Sequence, residues 1–310
     1  MSTTKIDIVS IGNIINETII SPDNTSDGPV LGSPCAYSSL IMAKLGCRVG
    51  MVTYFGDDFP KELDVLWQLR LVDKKGFIKY HYSTQNHLIY RANGTKSVEY
   101  NKVAPVIEYK DLPASYLDAK LYYICPMNYE VSLDLCEQLK ADEKMLMVDL
   151  GGFGGTTAYN RFTIDVPRGE HIVDTLCKSA HIIKVSEEDL EYLTPKFTIE
   201  EASDEFLRRG AEIVVITLGK RGSYFLEKGA EAKYVPAFKP RYPDEKLDVV
   251  GAGDAFAAGF IVKYIQGANV EESTIYGNAA ASLMIEKTGA CTEARMPSAD
   301  VVELRLSGII

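Results

Sequence analysis

Asp254 stands between a Gly-Ala-Gly turn at residues 251–253 and an apolar stretch that begins at Ala255. Small residues let the backbone turn tightly and bring its N–H groups close to a ligand. The apolar stretch predicts a helix over about 255–266, whose positive N-terminal end faces the same spot. A carboxylate beside an anion site suits an enzyme that takes a proton from a hydroxyl group while stabilising negative charge on the attacked group.

The same residues also permit a purely structural interpretation. Aspartate is a common helix N-cap, and glycine-rich turns often precede helices in α/β proteins. Spacing alone therefore leaves Asp254 open between a cap and a catalytic base. The turn matches neither common nucleotide fingerprint, because no Lys-Ser/Thr pair follows it and the glycines at 251, 253 and 259 do not fit the dinucleotide spacing.

Length and composition limit the class of protein. The 310 residues suffice for one large α/β domain, and the 46% apolar and 25% charged residues are ordinary for a globular chain. The net charge of −10 is spread along the chain. It argues against a nucleic-acid surface, which needs clustered lysine and arginine.

Other features of the sequence indicate its compartment. No apolar stretch reaches the length of a membrane span, and the first residues lack the basic-then-apolar pattern of a signal peptide. The six cysteines are scattered, which predicts buried thiols and argues against a disulfide scaffold or a zinc site. We expect a reduced, cytoplasmic protein that binds neither nucleic acid nor membrane.

Apolar runs alternate with helical patterns along most of the chain. Near-continuous apolar runs predict parallel strands buried on both faces, at 5–12, 48–54, 121–125, 145–150, 181–184 and 213–217. Helical spacing predicts helices at 34–45, 130–140, 170–178, 186–193, 200–209, 255–266 and 270–287. An antiparallel pair is expected at 222–227 and 233–236. The pattern predicts a single α/β domain over residues 1–310, with a doubly wound, mostly parallel sheet flanked by helices.

Residues 76–104 depart from this rhythm. Three alternating runs at 77–82, 87–90 and 97–100 leave no room for crossover helices, and the Asn-Gly pair within 92–94 is a strong hairpin signal. We expect a small antiparallel β flap beside the main sheet. Its aromatic and histidine side chains either line a ligand or cover one face of the flap.

The segments that follow the predicted strands are rich in glycine or acidic residues. In sheets of this kind ligands bind at the carboxyl ends of the strands. We therefore expect one rim to gather the loop of Asp254 with the segments 12–17, 55–58, 126–129, 151–155, 185–189 and 219–222. That convergence favours the catalytic interpretation of Asp254 over the cap.

Several motifs resemble the ribokinase-like, or PfkB, family of carbohydrate and nucleoside kinases, over nearly the whole chain. The run DVVGAGDAF at 248–256 is similar to the family signature D-x-x-G-A-G-D-x-F. Residues 32–46 resemble its N-terminal Gly-Gly signature, 55–59 its G-x-D segment, and 217–222 its T-x-G-x-x-G loop. The flap at 76–104 resembles the family's β lid, which forms a dimer clasp in some members, so a homodimer through this lid is a further implication.

The resemblance implies transfer of the ATP γ-phosphoryl group to an alcohol, with Asp254 as general base and the backbone of Gly251, Ala252, Gly253 and Asp254 as anion hole. It places the nucleotide near Ser186, Thr217, Gly219, Gly222, Asn278, Gly289 and Ala290. It places the acceptor near Asn16, Glu17, Gly32, Ser33 and Tyr37. Mg²⁺ would bridge the phosphates close to Glu188 or Asp189. A monovalent cation such as K⁺ would lie near Asp248 and Val250.

The departures from the family pattern concern the acceptor and the metal. Glu17 stands where an aspartate is usual, and Ser33 replaces the second glycine of the Gly-Gly pair. Pro34 and Tyr37 stand where ribokinases proper have lysine and asparagine, so the acceptor pocket is more apolar. Residues 186–189 match the family's N-x-x-E motif in spacing, with weaker residue types.

These features leave more than one function in view. The favoured one is an ATP-dependent kinase for a small sugar or polyol, and a nucleoside kinase is the alternative. A kinase-like binding or regulatory protein with weak catalysis is motivated by the altered 186–189 motif and opposed by the intact loop before Asp254. A dinucleotide oxidoreductase is disfavoured, because residues 12–16 lack the glycines of a pyrophosphate turn.

Overall fold

A computed structural model describes residues 5–92, 96–158, 166–194 and 197–310. The described residues form strands at Ile8–Ile11 (β1), Ile15–Ile20 (β2), Ser26–Gly32 (β3), Val49–Phe55 (β4), Asp73–Lys79 (β5), Thr84–Tyr90 (β6), Lys96–Lys102 (β7), Leu121–Ile124 (β8), Leu146–Asp149 (β9), Ile182–Ser186 (β10), Ile213–Thr217 (β11), Ser223–Glu227 (β12) and Lys233–Val235 (β13). Their helices are Pro34–Lys44 (α1), Val65–Gln68 (α2), Leu133–Ala141 (α3), Val166–Ser179 (α4), Glu187–Leu193 (α5), Ile199–Arg209 (α6), Ala252–Ile265 (α7), Val270–Met284 (α8) and Ala299–Leu306 (α9).

Nine strands form the main sheet in the described part of the chain, in the order β13-β12-β11-β10-β9-β8-β1-β4-β5. In this order, the strands from β11 through β1 to β5 run parallel to one another. Strands β12 and β13 pair antiparallel at one edge of the sheet. Separate apolar cores cover the two faces, one containing side chains of α1, α7 and α8 and the other those of α3, α4 and α6. The prediction of a doubly wound sheet flanked by helices is confirmed.

A second sheet of four strands has the order β3-β2-β6-β7. Strand β2 pairs antiparallel with β3 and parallel with β6, and β6 pairs antiparallel with β7. The predicted flap contributes β6 and β7, while β2 and β3 come from residues 15–32, where we predicted no strands. The predicted strands at 5–12 and 48–54 are therefore not joined by the helix α1 alone, because the hairpin of β2 and β3 lies between β1 and α1.

One strand predicted for the flap belongs elsewhere. Residues 73–79 form β5, which pairs parallel with β4 at the edge of the main sheet. An edge strand with one covered face alternates in the same way as a flap strand, so the sequence pattern could not distinguish the two. The hairpin turn predicted within 92–94 falls largely outside the described residues, which stop at 92 and resume at 96.

Glycines bring α7 and α8 close together. A Cβ atom at Gly277 would lie 2.8 Å from the carbonyl oxygen of Phe256, and one at Gly259 would lie 3.1 Å from the Cα of Gly277. Both separations are too short for a larger side chain without a shift of backbone or neighbours. The close contact fixes α7 over the main sheet. None of the helices within the described ranges has the length and hydropathy required to cross a bilayer.

Candidate active site

A cleft of about 520 Å³ opens at the carboxyl ends of the central strands. It gathers the loops that follow β8, β9, β10 and β11 and the turn that leads into α7, as predicted for the rim of glycine-rich and acidic segments. Of the predicted segments, 12–17 contributes only Glu17, and 55–58 contributes no lining residue. Strand β6 of the second sheet forms part of the opposite wall. The lining residues are Glu17, Ser33, Pro34, Tyr37, Leu88, Tyr90, Pro126, Met127, Asp149, Gly151, Gly152, Thr156, Thr157, Lys184, Ser186, Glu187, Glu188, Asp189, Thr217, Leu218, Gly219, Val249, Val250, Gly251, Ala252, Gly253 and Asp254.

The turn before α7 has the geometry that its glycines permit. Gly251 is the N-cap of α7 and has a left-handed φ of 76°. A Cβ atom there would lie 2.9 Å from the ring of Tyr37, so a larger residue would clash as well as strain the backbone. Because Gly251 occupies the N-cap, Asp254 lies inside the first helical turn. Its carboxylate therefore faces the cleft beside the positive end of the helix.

A buried ion pair lies next to this helix terminus. The Nζ of Lys184 on β10 lies 2.7 Å from Oδ2 of Asp149 at the end of β9, and the two side chains are 6% and 9% exposed. Burial would lower the pKa of Lys184, but the negative charges of Asp149, Asp254 and Asp189 outweigh it and raise the pKa overall. Lys184 is therefore a charged ammonium group within the cleft.

Lys184 approaches the first turn of α7 closely. A Cβ atom built at Gly253 would lie 3.3 Å from the Nζ of Lys184. Asp149 is held in turn by the hydroxyl of Tyr123 at 3.3 Å and by the backbone N–H of Gly151 at 3.1 Å. The cation therefore has a fixed position beside the backbone that was predicted to bind an anion.

The acidic segment after β10 is ordered around Asp189. Ser186 caps α5, and its hydroxyl donates to Oδ2 of Asp189 at 2.6 Å, while the N–H and hydroxyl groups of Thr156 donate to Oδ1 at 2.9 and 3.1 Å. A Cβ atom at Gly155 would lie only 2.3 Å from Asp189 Oδ1, so that glycine admits the carboxylate. Glu188 is exposed on the cleft. These oxygen donors suit Mg²⁺ bound through water, which is how this ion is usually held in proteins.

Glu17 closes the opposite end of the cleft. It lies on β2, is 3% exposed, and its Oε1 has no hydrogen-bond partner among the described residues. Burial raises the pKa of Glu17 to about 7. The negative charge of Asp254 also raises this pKa, whereas the hydrogen bond from Asn86 lowers it. A Cβ atom at Gly32 would lie 2.9 Å from Glu17 Oε2, so this glycine makes room for the longer acid.

The other predicted acceptor residues divide between two positions. Ser33 and Tyr37 line the cleft, and Ser33 caps α1 with its hydroxyl, which accepts from the N–H of Ala36 at 3.1 Å. Ser33 has a left-handed φ of 108°, a conformation that favours the glycine usual at this position. Asn16 precedes Glu17 on β2, so its side chain points to the other face of the second sheet and away from the cleft.

Ser186, Thr217 and Gly219 line the cleft, whereas the other predicted nucleotide residues, Gly222, Asn278, Gly289 and Ala290, are not among the residues that line it. Gly222 has a φ of 102°, and a Cβ atom there would lie 2.1 Å from the carbonyl oxygen of Val235, so the β11–β12 turn requires glycine. The amide of Asn278 bonds the hydroxyl of Ser223 at 3.1 Å and donates to the carbonyl oxygens of residues 235 and 236. These bonds tie α8 to the edge strands.

The oxygens that the resemblance offers to a monovalent cation already have a partner. The Nη2 of Arg295 donates to the carbonyl oxygens of Asp248 at 3.1 Å and Val250 at 2.8 Å. Arg295 also donates to the carbonyl oxygen of Gly289, which precedes the half-buried Ala290. The residues at this position therefore do not fit a bound K⁺, because a guanidinium group occupies the place of the ion.

Three functional candidates escaped the sequence analysis. Lys184 was interpreted only as part of a buried strand, Asp149 as the end of another, and Arg295 was not singled out. The sequence did contain a signal for the ion pair. Lys184 is a charged residue in an apolar strand, and Asp149 is an acid in the apolar run before it. Arg295 carried no comparable signal, because its partners are backbone oxygens brought together only by the fold.

Comparisons with known proteins identify related kinases. Residues 38–297 match the family model described as pfkB family carbohydrate kinase. The chain is 30% identical over 287 residues to a cytidine kinase of Thermococcus kodakarensis, covering 92% of this chain and 98% of that protein. It is 33% identical over 135 residues to an ATP-dependent 6-phosphofructokinase of Thermoanaerobacterium thermosaccharolyticum, covering 44% of this chain and 40% of that enzyme. The ribokinase of Arabidopsis thaliana, solved with ribose and ATP, has a TM-score of 0.77 at 19% identity over 98% of this chain and 99% of that one.

The raised pKa of Glu17 predicts a pH-dependent loss of stability. The folded state holds the Glu17 proton up to about pH 7, whereas the unfolded chain releases it near the ordinary value of 4.5, so the carboxyl destabilises the fold progressively between these values. Glu17→Gln removes this term. The free energy of unfolding is measured in urea at about pH 5 and about pH 8. Relative to the wild type, that of the variant should be higher by roughly 2 kcal/mol more at pH 8 than at pH 5.

Glu137→Gln is the matched control, because it removes a carboxyl from the exposed surface of α3. Its unfolding free energy should follow that of the wild type at both pH values. Parallel pH profiles for Glu17→Gln and the wild type would contradict the assigned protonation of Glu17.

Proposed function

The chain belongs to the pfkB family of carbohydrate kinases, and from this premise we propose that it transfers the γ-phosphoryl group of ATP to a hydroxyl group of a small sugar or polyol. One observation carries the proposal: the carboxylate of Asp254 and the N-terminal turn of α7 face the same cleft as a buried cation. This arrangement combines a proton acceptor with groups that stabilise the negative charge of a transferring phosphoryl group.

Asp254 is the general base in this proposal. Its carboxylate accepts the proton of the acceptor hydroxyl as that oxygen forms a bond to the γ-phosphorus, and the bond from this phosphorus to the oxygen bridging to ADP breaks. The backbone N–H groups of Gly251, Gly253 and Asp254 face the negative charge on the transferring group. The predicted anion hole also included Ala252, but its N–H donates to the carbonyl oxygen of Val249 at 3.1 Å. The positive end of α7 adds to this stabilisation without any reorganisation during the reaction.

We assign to Lys184 a contact with the transferring phosphoryl group. Its ammonium group is charged and buried beside Gly253, where a negative group bound at the first turn of α7 would lie within reach. In a site with little water, such a fixed positive charge is worth more than it is in solution. Asp149 acts through Lys184 as a positioning residue.

The donor end of the cleft is assigned from Thr217 and Gly219, which lie on the loop after β11. Gly289 and Ala290 remain predicted neighbours of the adenine. Mg²⁺ bound near Glu188 and Asp189 would neutralise charge on the phosphates. These two acids are suited to hold the hydrated ion, with Ser186 and Thr156 orienting Asp189.

The second sheet is assigned the role of a lid over the acceptor. Glu17 on β2 and the β6 side chains Leu88 and Tyr90 line the cleft from that side. The unpartnered Oε1 of Glu17 is an acceptor for a substrate hydroxyl, and a group of this kind discriminates strongly against compounds that lack the hydroxyl. Dimerisation through this sheet stays a prediction.

A nucleoside is the second candidate acceptor, because an apolar wall continues beyond Glu17. Pro34, Tyr37, Leu88, Tyr90 and Met127 line the cleft there, and aromatic side chains can stack on a base. The full-length relative from Thermococcus kodakarensis is a cytidine kinase, whereas the match to the phosphofructokinase covers less than half of the chain.

Replacement of the base tests the mechanism. Asp254→Asn should lower kcat by about 10²–10⁴-fold, because the amide cannot accept the hydroxyl proton. The dissociation constant of ATP should change little, since the backbone and the loop after β11 remain. Steady-state ADP formation and equilibrium nucleotide titration provide the two measurements. Asp244→Asn, at an exposed carboxylate of the preceding loop, should retain wild-type turnover; undiminished turnover in Asp254→Asn would remove Asp254 from the mechanism.

The role of Lys184 is tested without leaving a buried charge unpaired. The double variant Lys184→Met with Asp149→Asn keeps the site neutral, so the fold should persist. We expect kcat to fall by about 10²-fold, as for the loss of one fixed charge-stabilising group. Kinetics and thermal unfolding are measured on the same preparation. Unchanged kcat would restrict the ion pair to a structural role.

An acceptor panel decides between the two substrate classes. ADP formation is measured with sugars, polyols and nucleosides at equal concentrations, and kcat/KM is compared between classes. The favoured proposal predicts the highest value for a sugar or polyol, and a nucleoside with the highest value would establish the second candidate in its place. ADP formation that no acceptor raises above background would contradict both.

A further inference from the structure

The side chain of Arg295 is enclosed by oxygen atoms. It is 1% exposed. Its Nη2 lies 3.1 Å from the carbonyl oxygen of Asp248, 2.8 Å from that of Val250 and 3.2 Å from Oδ2 of Asp248. Its Nε donates to the carbonyl oxygen of Lys287 at 2.9 Å, and its Nη1 donates to that of Gly289. A single guanidinium group thus satisfies four backbone carbonyls and one carboxylate.

This oxygen set has the character of a cation site. Backbone carbonyls and a carboxylate are the ligands that hard cations take in proteins. Asp248 completes the cage by accepting from the N–H groups of Val250 at 3.0 Å and Gly289 at 3.1 Å, so it links the loop before α7 to the loop after α8. Two loops with converging carbonyls need a positive charge or several donors between them.

Arginine meets both requirements in this cage. Its guanidinium is positively charged and carries five N–H donors and no acceptor. It is less strongly hydrated than a small ion, so its burial is easier. Unlike a dissolved ion, it is attached to the chain and is present at full occupancy whatever the salt.

We propose that the guanidinium of Arg295 replaces a monovalent cation in this chain and holds the loop before α7 in its active form without K⁺. The loop of residues 248–250 leads directly into Gly251 and the first turn of α7, so its position sets those of the proposed anion hole and of Asp254. Arg295 acts through this loop and is a positioning residue. The effect on turnover rests on the proposed kinase function, whereas the effect on ion binding does not.

The wild-type protein provides the first test. Its melting temperature and its turnover are measured at constant ionic strength in K⁺, Na⁺ and choline chloride. The proposal predicts the same melting temperature and the same turnover in all three salts. Activation or thermal stabilisation of the wild type by K⁺ over choline would overturn it.

The variant Arg295→Ser opens the cage to a dissolved ion. Loss of the buried cation should lower the melting temperature by about 10 °C in choline chloride, because Asp248 and the converging carbonyl oxygens lose their positive partner. K⁺ should restore part of this loss and should also raise turnover, by tenfold or more, from its reduced level. A variant whose melting temperature is the same in K⁺ and in choline would contradict the cation role.

Arg305→Ser is the matched control, because Arg305 is also buried and donates to Glu286, Ser282 and the carbonyl oxygen of Lys239, but to none of residues 248–250. It should lose stability without any response to K⁺; an equal K⁺ response in this variant would show a general salt effect and overturn the proposal.

If Arg295→Ser does not fold, Arg295→Lys keeps one charge in the cage and is measured in the same salts. Arg295→Lys should fold, have reduced turnover and respond less to K⁺ than we expect of Arg295→Ser. Wild-type turnover in Arg295→Lys would mean that the guanidinium contacts are dispensable and would contradict the proposal. The melting curves decide the ion question even if no acceptor supports turnover.

Discussion

The site depends on how the chain enters α7. Gly251 has a left-handed backbone, and a Cβ atom there would lie 2.9 Å from the ring of Tyr37, so this turn requires glycine. The loop itself is held from behind by the guanidinium of Arg295. The glycine contact between α7 and α8 then fixes the helix over the sheet. Together these constraints place the first turn of α7 at the cleft.

The charges in the cleft are balanced by position. Asp149 is matched by Lys184, and the bonds from Thr156 and Ser186 hold Asp189. Glu17 has no such partner, and its burial therefore outweighs the hydrogen bonding from Asn86 and raises its pKa to about 7. The result is a donor end with fixed charges and an acceptor end with a carboxyl group that can be protonated near neutral pH. This arrangement suits the proposed binding of a polyanion at one end and of hydroxyl groups at the other.

Much of the main sheet could be predicted from the sequence, because strands buried on both faces leave nearly continuous apolar runs such as 213–217. The rim could also be predicted, since parallel strands bring their following loops to one edge. The second sheet could be predicted only in part. Strands β2 and β3 are half-exposed and interrupted by polar residues, and the partner of a half-exposed strand depends on tertiary contacts.

The finer parts of the site required coordinates. Nothing local distinguishes Asn278, whose amide bonds the edge strands, from an asparagine that faces a nucleotide. The carbonyls of Asp248 and Val250 matched a cation site by motif, yet the group that fills it comes from residue 295, beyond α8. Lys184 lay in a strand that the apolar pattern had already explained. In each case the decisive contact joins residues more than thirty positions apart in the chain.

The most direct measurement is a crystal structure of the protein with a non-hydrolysable ATP analogue and its best acceptor. We expect the terminal phosphate to accept from the backbone N–H groups of Gly251, Gly253 and Asp254 within about 3.2 Å. We also expect the acceptor hydroxyl to lie about 2.6–3.2 Å from the carboxylate of Asp254. A terminal phosphate bound away from the first turn of α7, with Asp254 beyond hydrogen-bond reach of the acceptor, would contradict the proposed mechanism.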